Sequence, residues 1–301
     1  MKHLFNQFII KIIQYLPIYF VQLVAQRYVA GESIDDALNV VREINNKGYS
    51  ATVDILGEHT NSISSSHEIT KDYKNLIYNI HKQNLNCNIS IKPSHIGMNI
   101  SKDCIFENIT NLIETARQYG QFIRIDMEDS SLTDDTIRLF NDCKNNYSHI
   151  GTVLQAYLFR SENDLTKLKH FKNVNLRICK GIYRESSDIA IQNRHDINNN
   201  FLKLIRSAFE NNIYVGIATH DLSLISETYN IIEELGISKD RFEFQVLYGV
   251  PMGGWLEKHI KHGYKIRVYV PFGKDWYDYS LRRIKENPDI AGYIIKDIFR
   301  K

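Results

Sequence analysis

The stretch QFIRIDM at residues 121–127 alternates apolar side chains with charged ones. Arg124 and Asp126 stand at every second position, which we call one parity, and isoleucine or methionine stands at the positions beside them. Successive side chains of a strand point to opposite faces, so this pattern predicts a strand with one apolar and one polar face. The strands of an open, doubly wound sheet are buried on both faces and read as continuous apolar runs instead. The alternation therefore favours a closed barrel with a polar interior.

Strand-like segments of this kind recur eight times, with helix-like sequence between them. Seven steps separate residue 50 from residue 264, a mean period of about 31 residues, which is the size of a βα unit. No leucine-rich or ankyrin signature recurs, and the dinucleotide fingerprint GxGxxG is absent. We therefore predict an α/β protein built as a (βα)8 TIM-like barrel. The predicted strands span residues 50–56, 87–94, 121–127, 150–158, 173–181, 213–219, 242–249 and 264–273.

Helix signals occupy the segments between the predicted strands, and one precedes the first of them. Residues 33–48 begin at the N-cap Ser33, carry apolar residues at helical spacing and stop at a glycine. Residues 131–144 form another helical stretch, and no Pro-, Gly- or Ser-rich linker divides the chain. We predict an N-terminal helical extension at residues 1–49, packed on a barrel at residues 50–301.

Composition and charge argue against several classes of protein. The 301 residues are 43% hydrophobic, and 37 basic residues against 35 acidic ones leave a net charge of +2. These values argue against global disorder and against a strongly basic nucleic-acid binder. The four cysteines are scattered without a CxxC pair. We therefore predict a reducing compartment, no disulfide framework and no metal site.

Residues 4–25 are unusually apolar but are interrupted by polar residues and by Pro17. A membrane-spanning helix needs about 20 mainly apolar residues, so this run is marginal. No small-residue cleavage site marks it as a signal peptide. Two interpretations stay open: amphipathic helices packed on the barrel, or a segment that docks on a membrane surface.

The active site of such a barrel lies at the carboxyl ends of its strands. Nearly every predicted strand ends in a polar or ionisable side chain, and any one of them is most simply explained by a structural ion pair. Their repetition on successive strands favours an active site. The residues at these ends are Glu58, Lys92, Asp126, Gln155, Arg177, Lys180, Thr219, His220, Tyr248 and Tyr269.

The segment DYSLRRIKENP at residues 278–288 follows the last predicted strand. Tyr279, Arg282 and Arg283 have the spacing of residues that share one helix face. Guanidinium pairs suit carboxylate or phosphate groups. An Arg-Arg pair on a helix is otherwise most often a solvated face.

Nine short strings along the chain carry a family resemblance. In chain order they are RYVAGES, VDILGE, RIDMED, LQAYLFR, RICKGIYRE, IATHD, FEFQVLYGV, RVYVPFG and YSLRR. They resemble the proline dehydrogenases, from about Arg27 to the C-terminus. The match is to the stand-alone form, since the bifunctional relatives carry an additional aldehyde dehydrogenase module for which this chain has no room.

The resemblance implies a flavoenzyme with a distorted (βα)8 barrel and FAD at the carboxyl ends of its strands. The implied reaction is oxidation of L-proline to Δ1-pyrroline-5-carboxylate by hydride transfer to flavin N5, the first step of proline catabolism to glutamate. Electrons would then pass to a membrane quinone. We expect a cytoplasmic protein with transient, peripheral contact at the inner face of the membrane, and no nucleic-acid partner.

The resemblance also implies roles for particular residues. Asp126 and Arg177 match the active-site pair of the family. Glu58 matches a glutamate that pairs with the first arginine of the RR motif, so we expect a Glu58–Arg282 ion pair that closes over proline. The implied substrate-binding residues are Lys92, Arg282, Arg283, Tyr269, Tyr279 and Leu247. The implied FAD-binding residues are Met127, Gln155, Lys180, Gly181, Ile182, Thr219 and His220.

Three features need separate interpretation. The lysine motif of the family usually reads K-L-S/T, whereas Pro93 follows Lys92 here, which raises the question of whether Lys92 is displaced. The insert at residues 252–255 is interpreted either as a mobile lid or as a turn. The bulk of Tyr279 argues against 4-hydroxyproline as the preferred substrate.

Two rival functions stay open. A barrel lyase would use Lys92 or Lys180 as a Schiff-base lysine and would need no flavin. A barrel that senses flavin or proline would bind without turnover.

Overall fold

The computed structural model describes residues 18–286, and in this part of the chain eight strands pair in chain order and close into a barrel. Every pairing is parallel, including the β1–β8 pair that closes the barrel, where Asp54 lies opposite Pro271. The predicted (βα)8 class is confirmed. The strands are β1 Ser50–Ile55, β2 Cys87–Ile91, β3 Ile123–Ile125, β4 Ile150–Gln155, β5 Asn175–Cys179, β6 Tyr214–Ala218, β7 Phe242–Leu247 and β8 Ile266–Phe272.

A helix follows each strand, and two more precede β1 in the described part of the chain. The side chains of Arg282 and Arg283 lie outside the described residues, although their backbone belongs to the last helix. The helices are α1 Ile18–Tyr28, α2 Ile34–Asn46, α3 Ile63–Lys82, α4 Lys102–Tyr119, α5 Thr133–Asn146, α6 Ser161–Leu168, α7 Arg194–Glu210, α8 Leu222–Glu234, α9 Trp255–Lys261 and α10 Trp276–Glu286.

The helix predicted over residues 33–48 is confirmed as α2. The Ser33 hydroxyl accepts a hydrogen bond from the backbone of Asp36, and the Asp36 side chain accepts one from the backbone of Ser33. This reciprocal capping box starts the helix. Gly48 follows its end at a φ of +83°, a left-handed conformation that glycine adopts without strain.

All eight predicted strands exist, and each of them ends earlier than predicted. The residues beyond the strand ends leave the sheet and carry polar side chains into the connecting loops. Lys92 is one such residue, because β2 ends at Ile91. Pro93 therefore removes no hydrogen bond from the sheet, since its missing N–H falls after the strand.

Paired charged side chains fill the amino-terminal end of the barrel interior. Arg124 donates to the carbonyl oxygens of Thr152 and Asn175, both at 2.9 Å. Arg267 binds Glu243 at 2.7 Å across β7 and β8. Buried charges are tolerated when each has a partner with good geometry. The polar parity seen in the sequence thus corresponds to the interior face of the barrel.

The N-terminal helices cover one side of the barrel. The segment between α1 and α2 binds β8 and its following loop through two backbone hydrogen bonds, from Ala30 N to Pro271 O at 2.9 Å and from Gly273 N to Gly31 O at 3.0 Å. Helix α1 packs against α10. Part of the apolar run at residues 4–25 thus forms α1, while residues 1–17 lie outside the described residues.

Candidate active site

A cavity of about 510 Å³ opens at the carboxyl ends of the strands. It is lined by all the residues to which the family resemblance assigns a role and whose side chains are described. Helix α10 borders it through Tyr279. The predicted site residues in its wall are Glu58, Lys92, Asp126, Met127, Gln155, Arg177, Lys180, Gly181, Ile182, Thr219, His220, Leu247, Tyr269 and Tyr279.

One residue placed at a strand end lies elsewhere. Strand β7 ends at Leu247, whose side chain lines the cavity, so Tyr248 falls on the opposite parity. Tyr248 lines a separate cavity of about 430 Å³ together with residues of α1, α2 and Trp276. The expectation that Tyr248 belongs to the site is therefore wrong.

The base of the cavity is a hydrogen-bonded cluster around Asp126. Arg177 Nη1 donates to Asp126 Oδ1 at 2.6 Å, and the Ser90 hydroxyl donates to the same oxygen at 2.6 Å. The Tyr269 hydroxyl donates to Asp126 Oδ2 at 3.0 Å. Both carboxylate oxygens are thus occupied by donors, which holds the Asp126 side chain in one orientation.

Arg177 and Tyr269 are held in the protonation states that this cluster needs. Burial lowers the pKa of Arg177, but Asp126 and the other acidic groups around it together raise it above its usual value. Burial and the carboxylates of Asp126 and Asp54 raise the pKa of Tyr269 well above its usual value. The phenol therefore stays a donor. The Arg177 guanidinium also lies 5.0 Å from the centroid of the Tyr269 ring, a cation–π contact.

Lys92 forms a buried ion pair with Asp54, a residue that the sequence analysis did not assign to the site. Burial lowers the pKa of Lys92, but Asp54 and Asp126 together raise it above its usual value. The ammonium group therefore keeps its charge in the cavity wall. Tyr73 donates to the other oxygen of Asp54 at 3.3 Å. Lys92 is not displaced from the cavity by the proline that follows it.

Glu128, in the loop after β3, connects that loop with the loop after β2 and with the end of β4. Its carboxylate accepts hydrogen bonds from the backbone and the hydroxyl of Ser94, just after Lys92. Its carbonyl accepts from the side-chain amide of Gln155 at 2.8 Å. Glu128 is 1% exposed. This buried carboxylate thus sets the relative positions of two cavity-lining loops, a role that sequence analysis missed.

The mouth of the cavity carries two cations and one carboxylate. Lys180 Nζ donates to Asp221 Oδ2 at 2.9 Å, and Arg194 Nη2 lies 3.7 Å from the same oxygen. Burial raises the pKa of Asp221, but hydrogen bonds from Ser223 and Lys180 lower it to about 2. The ionised carboxylate offsets one cation, so these three groups leave one net positive charge at the mouth.

Glycine is required at position 181 because of its backbone conformation and because of a neighbouring aromatic ring. Its φ is +105°, and a Cβ there would lie 2.1 Å from Cδ1 of Tyr157. The family resemblance assigns this glycine to FAD binding. The crowding that the structure shows comes from the protein itself.

The insert at residues 252–255 agrees with the turn interpretation. Gly253 and Gly254 have positive φ values of +57° and +77°. Trp255 begins α9, and its ring lies 4.2 Å from the ring of His259. Met252 is buried.

Several other cavity residues were not predicted. Asp54 and Gln245 share the interior parity of their strands, and that parity was a signal available in the sequence. Cys179 likewise shares the parity of Arg177 on β5 and Arg194 begins α7, whereas Tyr183 and Asp221 lie in loops, where no periodicity reports direction. The unpredicted polar residues of the wall are Asp54, Cys179, Tyr183, Arg194, Asp221 and Gln245.

A closed parallel barrel with a charged cavity at the carboxyl ends of its strands defines an enzyme of the (βα)8 class. The family model described as proline dehydrogenase matches residues 37–294. The chain belongs to the proline dehydrogenase family and is an oxidoreductase of proline.

Curated relatives match nearly the whole chain. Proline dehydrogenase 2 of Bacillus subtilis (strain 168) is 38% identical over 280 residues, which cover 93% of this chain and 92% of the relative. Proline dehydrogenase 1 of the same strain is 36% identical over 283 residues, with 94% and 93% covered. Proline dehydrogenase of Deinococcus radiodurans is 35% identical over 282 residues, with 92% and 90% covered.

Solved structures show the same fold at lower identity. Proline utilization A (PutA) of Bdellovibrio bacteriovorus superposes with a TM-score of 0.82 at 24% identity, covering 88% of this chain and 32% of that one. PutA of Corynebacterium freiburgense gives 0.77 at 22% identity, covering 98% and 34%. The chain thus spans about a third of the length of these larger proteins.

Proposed function

We propose that the protein oxidises L-proline to Δ1-pyrroline-5-carboxylate with FAD bound in the cavity, and that the electrons pass on to a quinone. The observation that carries this proposal is the Asp126–Arg177 pair at the base of the cavity. This pair holds a cation beneath a space large enough for a ring system. Hydride transfer to such a ring requires no covalent nucleophile.

The cavity suits a flavin in size and lining. About 510 Å³ falls within the range of about 300–1,000 Å³ typical of cofactor and ligand pockets. Arg177 supplies donors for the polar edge of the ring, while Met127 and Leu247 supply apolar wall. The net positive charge left by Lys180, Arg194 and Asp221 at the mouth suits a diphosphate.

The remaining predicted FAD residues occupy the wall between base and mouth. His220 Nε2 accepts a hydrogen bond from the backbone of Leu247 at 2.9 Å. The side-chain amide of Gln155 is oriented by Glu128, and Thr219 accepts from the backbone of Asp221 at 3.1 Å. We propose that these residues, with Gly181 and Ile182, hold the cofactor. The set is Met127, Gln155, Lys180, Gly181, Ile182, Thr219 and His220.

Proline would bind between the cofactor and Lys92. The charged Lys92 ammonium would supply one cation for the substrate carboxylate. We propose that Arg282 and Arg283 supply two more, since their spacing places both near Tyr279 along α10. Tyr269, Tyr279 and Leu247 would wall the ring. We propose that Glu58 pairs with Arg282 as a gate, and that the bulk of Tyr279 disfavours 4-hydroxyproline. Three positive charges fix the anion in one place, which is catalysis by positioning.

The chemistry needs a neutral ring nitrogen. As a hydride leaves the adjacent ring carbon, the nitrogen electron pair forms the C=N bond, and the resulting iminium gives up its proton to solvent. When bound, the flavin supplies N5 as the hydride acceptor and carries two electrons to the quinone. Arg177 stabilises the negative charge that develops above it, and Asp126 holds Arg177 in place.

The rival functions fit the site less well. A Schiff-base lysine must be neutral, but the neighbouring carboxylates raise the pKa of Lys92 and keep it charged. Lys180 Nζ is engaged with Asp221. A proline or flavin sensor would not need the buried Asp126–Arg177 pair beneath its ligand, since buried charges are costly unless used or paired.

We also propose that residues 1–49 form a helical extension packed on the barrel of residues 50–301, in a cytoplasmic protein that touches the membrane peripherally. The backbone hydrogen bonds between the α1–α2 segment and β8 support the packing. None of the helices within residues 18–286 combines the length and the hydrophobicity of a membrane-spanning segment. Flotation with vesicles of anionic lipid, with and without residues 1–17, tests the membrane contact and leaves α1 in place.

The enzyme proposal is tested on the purified full-length protein. Its visible spectrum should show a flavin band that bleaches when L-proline is added without oxygen. Protein that binds no flavin after refolding with FAD, or a bound flavin that does not bleach, would contradict the proposal. D-proline serves as the matched control ligand and should bleach the band far more slowly.

A further inference from the structure

Gln245 connects two ion pairs inside the barrel. Its amide Nε2 donates to Glu243 Oε1 at 2.8 Å, and its amide oxygen accepts from Arg177 Nε at 2.7 Å. Glu243 in turn accepts from Arg267 Nε at 2.7 Å. A continuous chain of hydrogen bonds therefore runs from Arg267 through Gln245 to Arg177 and on to Asp126.

The direction of this amide is determined by its neighbours. Burial raises the pKa of Glu243, but Arg267 lowers it below its usual value, so the carboxylate is ionised and can only accept. The NH2 end of Gln245 must therefore face Glu243, which leaves its oxygen facing Arg177. The reversed amide would set oxygen against oxygen and donor against donor, which leaves buried hydrogen bonds unmade and is unfavourable.

The neighbouring strand leaves room for this contact. Gln245 on β7 reaches over β6 to Arg177 on β5, and Gly216 of β6 lies opposite both Arg177 and Glu243. A Cβ at Gly216 would lie 2.5 Å from Gln245 Nε2 and 3.0 Å from its Cδ. Glycine inside a strand weakens the strand, so its presence here has a packing reason.

We propose that Gln245 is a positioning residue of the active site, whose amide oxygen fixes the plane of the Arg177 guanidinium against Asp126 beneath the cavity. The inference rests on the proposed function, in which Arg177 stabilises developing negative charge. Nε is anchored by Gln245 and Nη1 by Asp126, so the guanidinium cannot turn about its axis. A neutral acceptor provides this anchor without adding a carboxylate that would offset the charge of Arg177.

The test replaces Gln245 by methionine, which has a similar length and no hydrogen-bonding amide. Gln245→Met should lower kcat by about tenfold to a hundredfold, the scale of a misplaced catalytic group, and leave KM for proline within about twofold. A crystal structure of the variant as purified should show the Arg177 guanidinium rotated away from its place against Asp126. An unchanged kcat, or an unmoved Arg177, would overturn the proposal.

A matched control is available in the same barrel. Gln121 is also buried, and its amide donates to the carbonyl of Cys87 at 2.8 Å, away from Arg177. Gln121→Met should lower stability by a similar amount and leave kcat unchanged. If both variants reduce kcat equally, Gln245 acts only through general stability and the proposal fails.

Gln245→Glu provides a second test if the methionine variant does not fold. A protonated glutamic acid donates to Glu243 and accepts from Arg177, as the amide does, whereas its ionised form sets two carboxylates face to face. The kcat of this variant should approach that of the wild type at acidic pH and fall below it as pH rises. A ratio of the two kcat values that does not change with pH would contradict the proposal.

The two proposals fail in distinguishable ways. Absence of proline-dependent bleaching in the wild-type protein rejects the enzyme proposal. Comparing the position of Arg177 in crystal structures of the wild type and of Gln245→Met requires no turnover. It therefore tests the role of Gln245 even if the wild-type protein does not oxidise proline.

Discussion

The backbone N–H of Leu247 donates to Nε2 of His220 at 2.9 Å. This bond requires Nε2 of the imidazole to be unprotonated, so it selects one tautomer of the neutral ring. It also ties the end of β7 to the loop after β6, and both residues line the cavity. A residue assigned to the cofactor thus positions one assigned to the substrate.

Replacement of His220 should therefore weaken the binding of FAD. In His220→Ala the Leu247 amide loses its partner, and we expect about a tenfold weaker affinity for FAD, since a hydrogen bond contributes about 1 kcal/mol and the proposed contact of the imidazole with FAD is removed as well. Titration of the apoprotein with FAD, followed by fluorescence quenching, measures this. The matched control is His262→Ala on the exposed end of α9, which should bind FAD like the wild type.

Asp126→Asn should remove the charge that holds Arg177. We expect kcat to fall by about a hundredfold because the guanidinium loses its ionised partner and shifts within the site. Steady-state kinetics with L-proline measure the loss. Asp135→Asn provides the control, since Asp135 is an exposed residue that pairs with Arg138 on the surface. Equal kinetics for the Asp126 and Asp135 variants would contradict the role of the pair.

Asp54→Asn should change the pH dependence of proline binding. The neighbouring carboxylates raise the pKa of Lys92, so its charge is fully present at neutral pH and is lost only as pH rises through that raised value. Burial lowers the pKa of Lys92 and the Asp54 charge opposes that effect, so removing the Asp54 charge lowers the pKa of Lys92. KM for proline in the variant should then rise at alkaline pH where that of the wild type stays flat. Parallel pH profiles of KM for the two proteins would show that Lys92 does not depend on Asp54.

Gly181→Ala should destabilise the protein more than the same substitution at a glycine that has a positive φ but no neighbouring atom near its Cβ position. Gly253 is the matched control, because its φ is +57° and nothing lies within 4 Å of a Cβ there. Gly253→Ala pays only the conformational cost of about 1–2 kcal/mol. Gly181→Ala adds a collision with Tyr157, which we expect to cost about 1–3 kcal/mol more. Urea denaturation of both variants measures the difference in the free energy of unfolding, and equal losses would rule out the collision.

His259 should make the protein less stable in acid. Its side chain is buried under Trp255, its Nδ1 meets the Tyr229 hydroxyl at 2.5 Å, and its Nε2 has no partner among the described residues. Burial lowers its pKa from 6.5 to about 4. Between these values the unfolded chain binds more protons, so the free energy of unfolding rises with pH and falls as pH drops, by up to about 1.4 kcal/mol per pH unit.

The variant His259→Phe should flatten that slope. Burial and the nearby Lys92 likewise lower the pKa of His95 to about 4, so a part of the slope remains. The exposed His170→Phe variant should keep the wild-type slope. Denaturation series between pH 4 and 6.5 measure all three proteins, and a slope that is the same in His259→Phe and wild type would exclude this histidine as a cause.

Strand periodicity was enough to predict the barrel. Alternation in segments such as residues 121–127 assigns each side chain to one of two faces, because the repeat of a strand is two residues. Eight such segments, spaced as in βα units, are compatible with few sheet topologies. Tyr248 was assigned to the site from its position at the strand end alone, although it alternates with Glu243 and Gln245, and the structure follows the alternation.

The sequence by itself determined the order of the strands, the polar parity of their interior faces and, through its motifs, the family of the protein. Only the tertiary structure decided which polar groups meet. Arg177 binds Gln245 and Asp126, which lie 68 and 51 residues away along the chain, and Lys92 binds Asp54 at a separation of 38. The physical reason is that periodicity reports the direction of a side chain locally, whereas contact distances depend on the stagger of strands around a closed barrel.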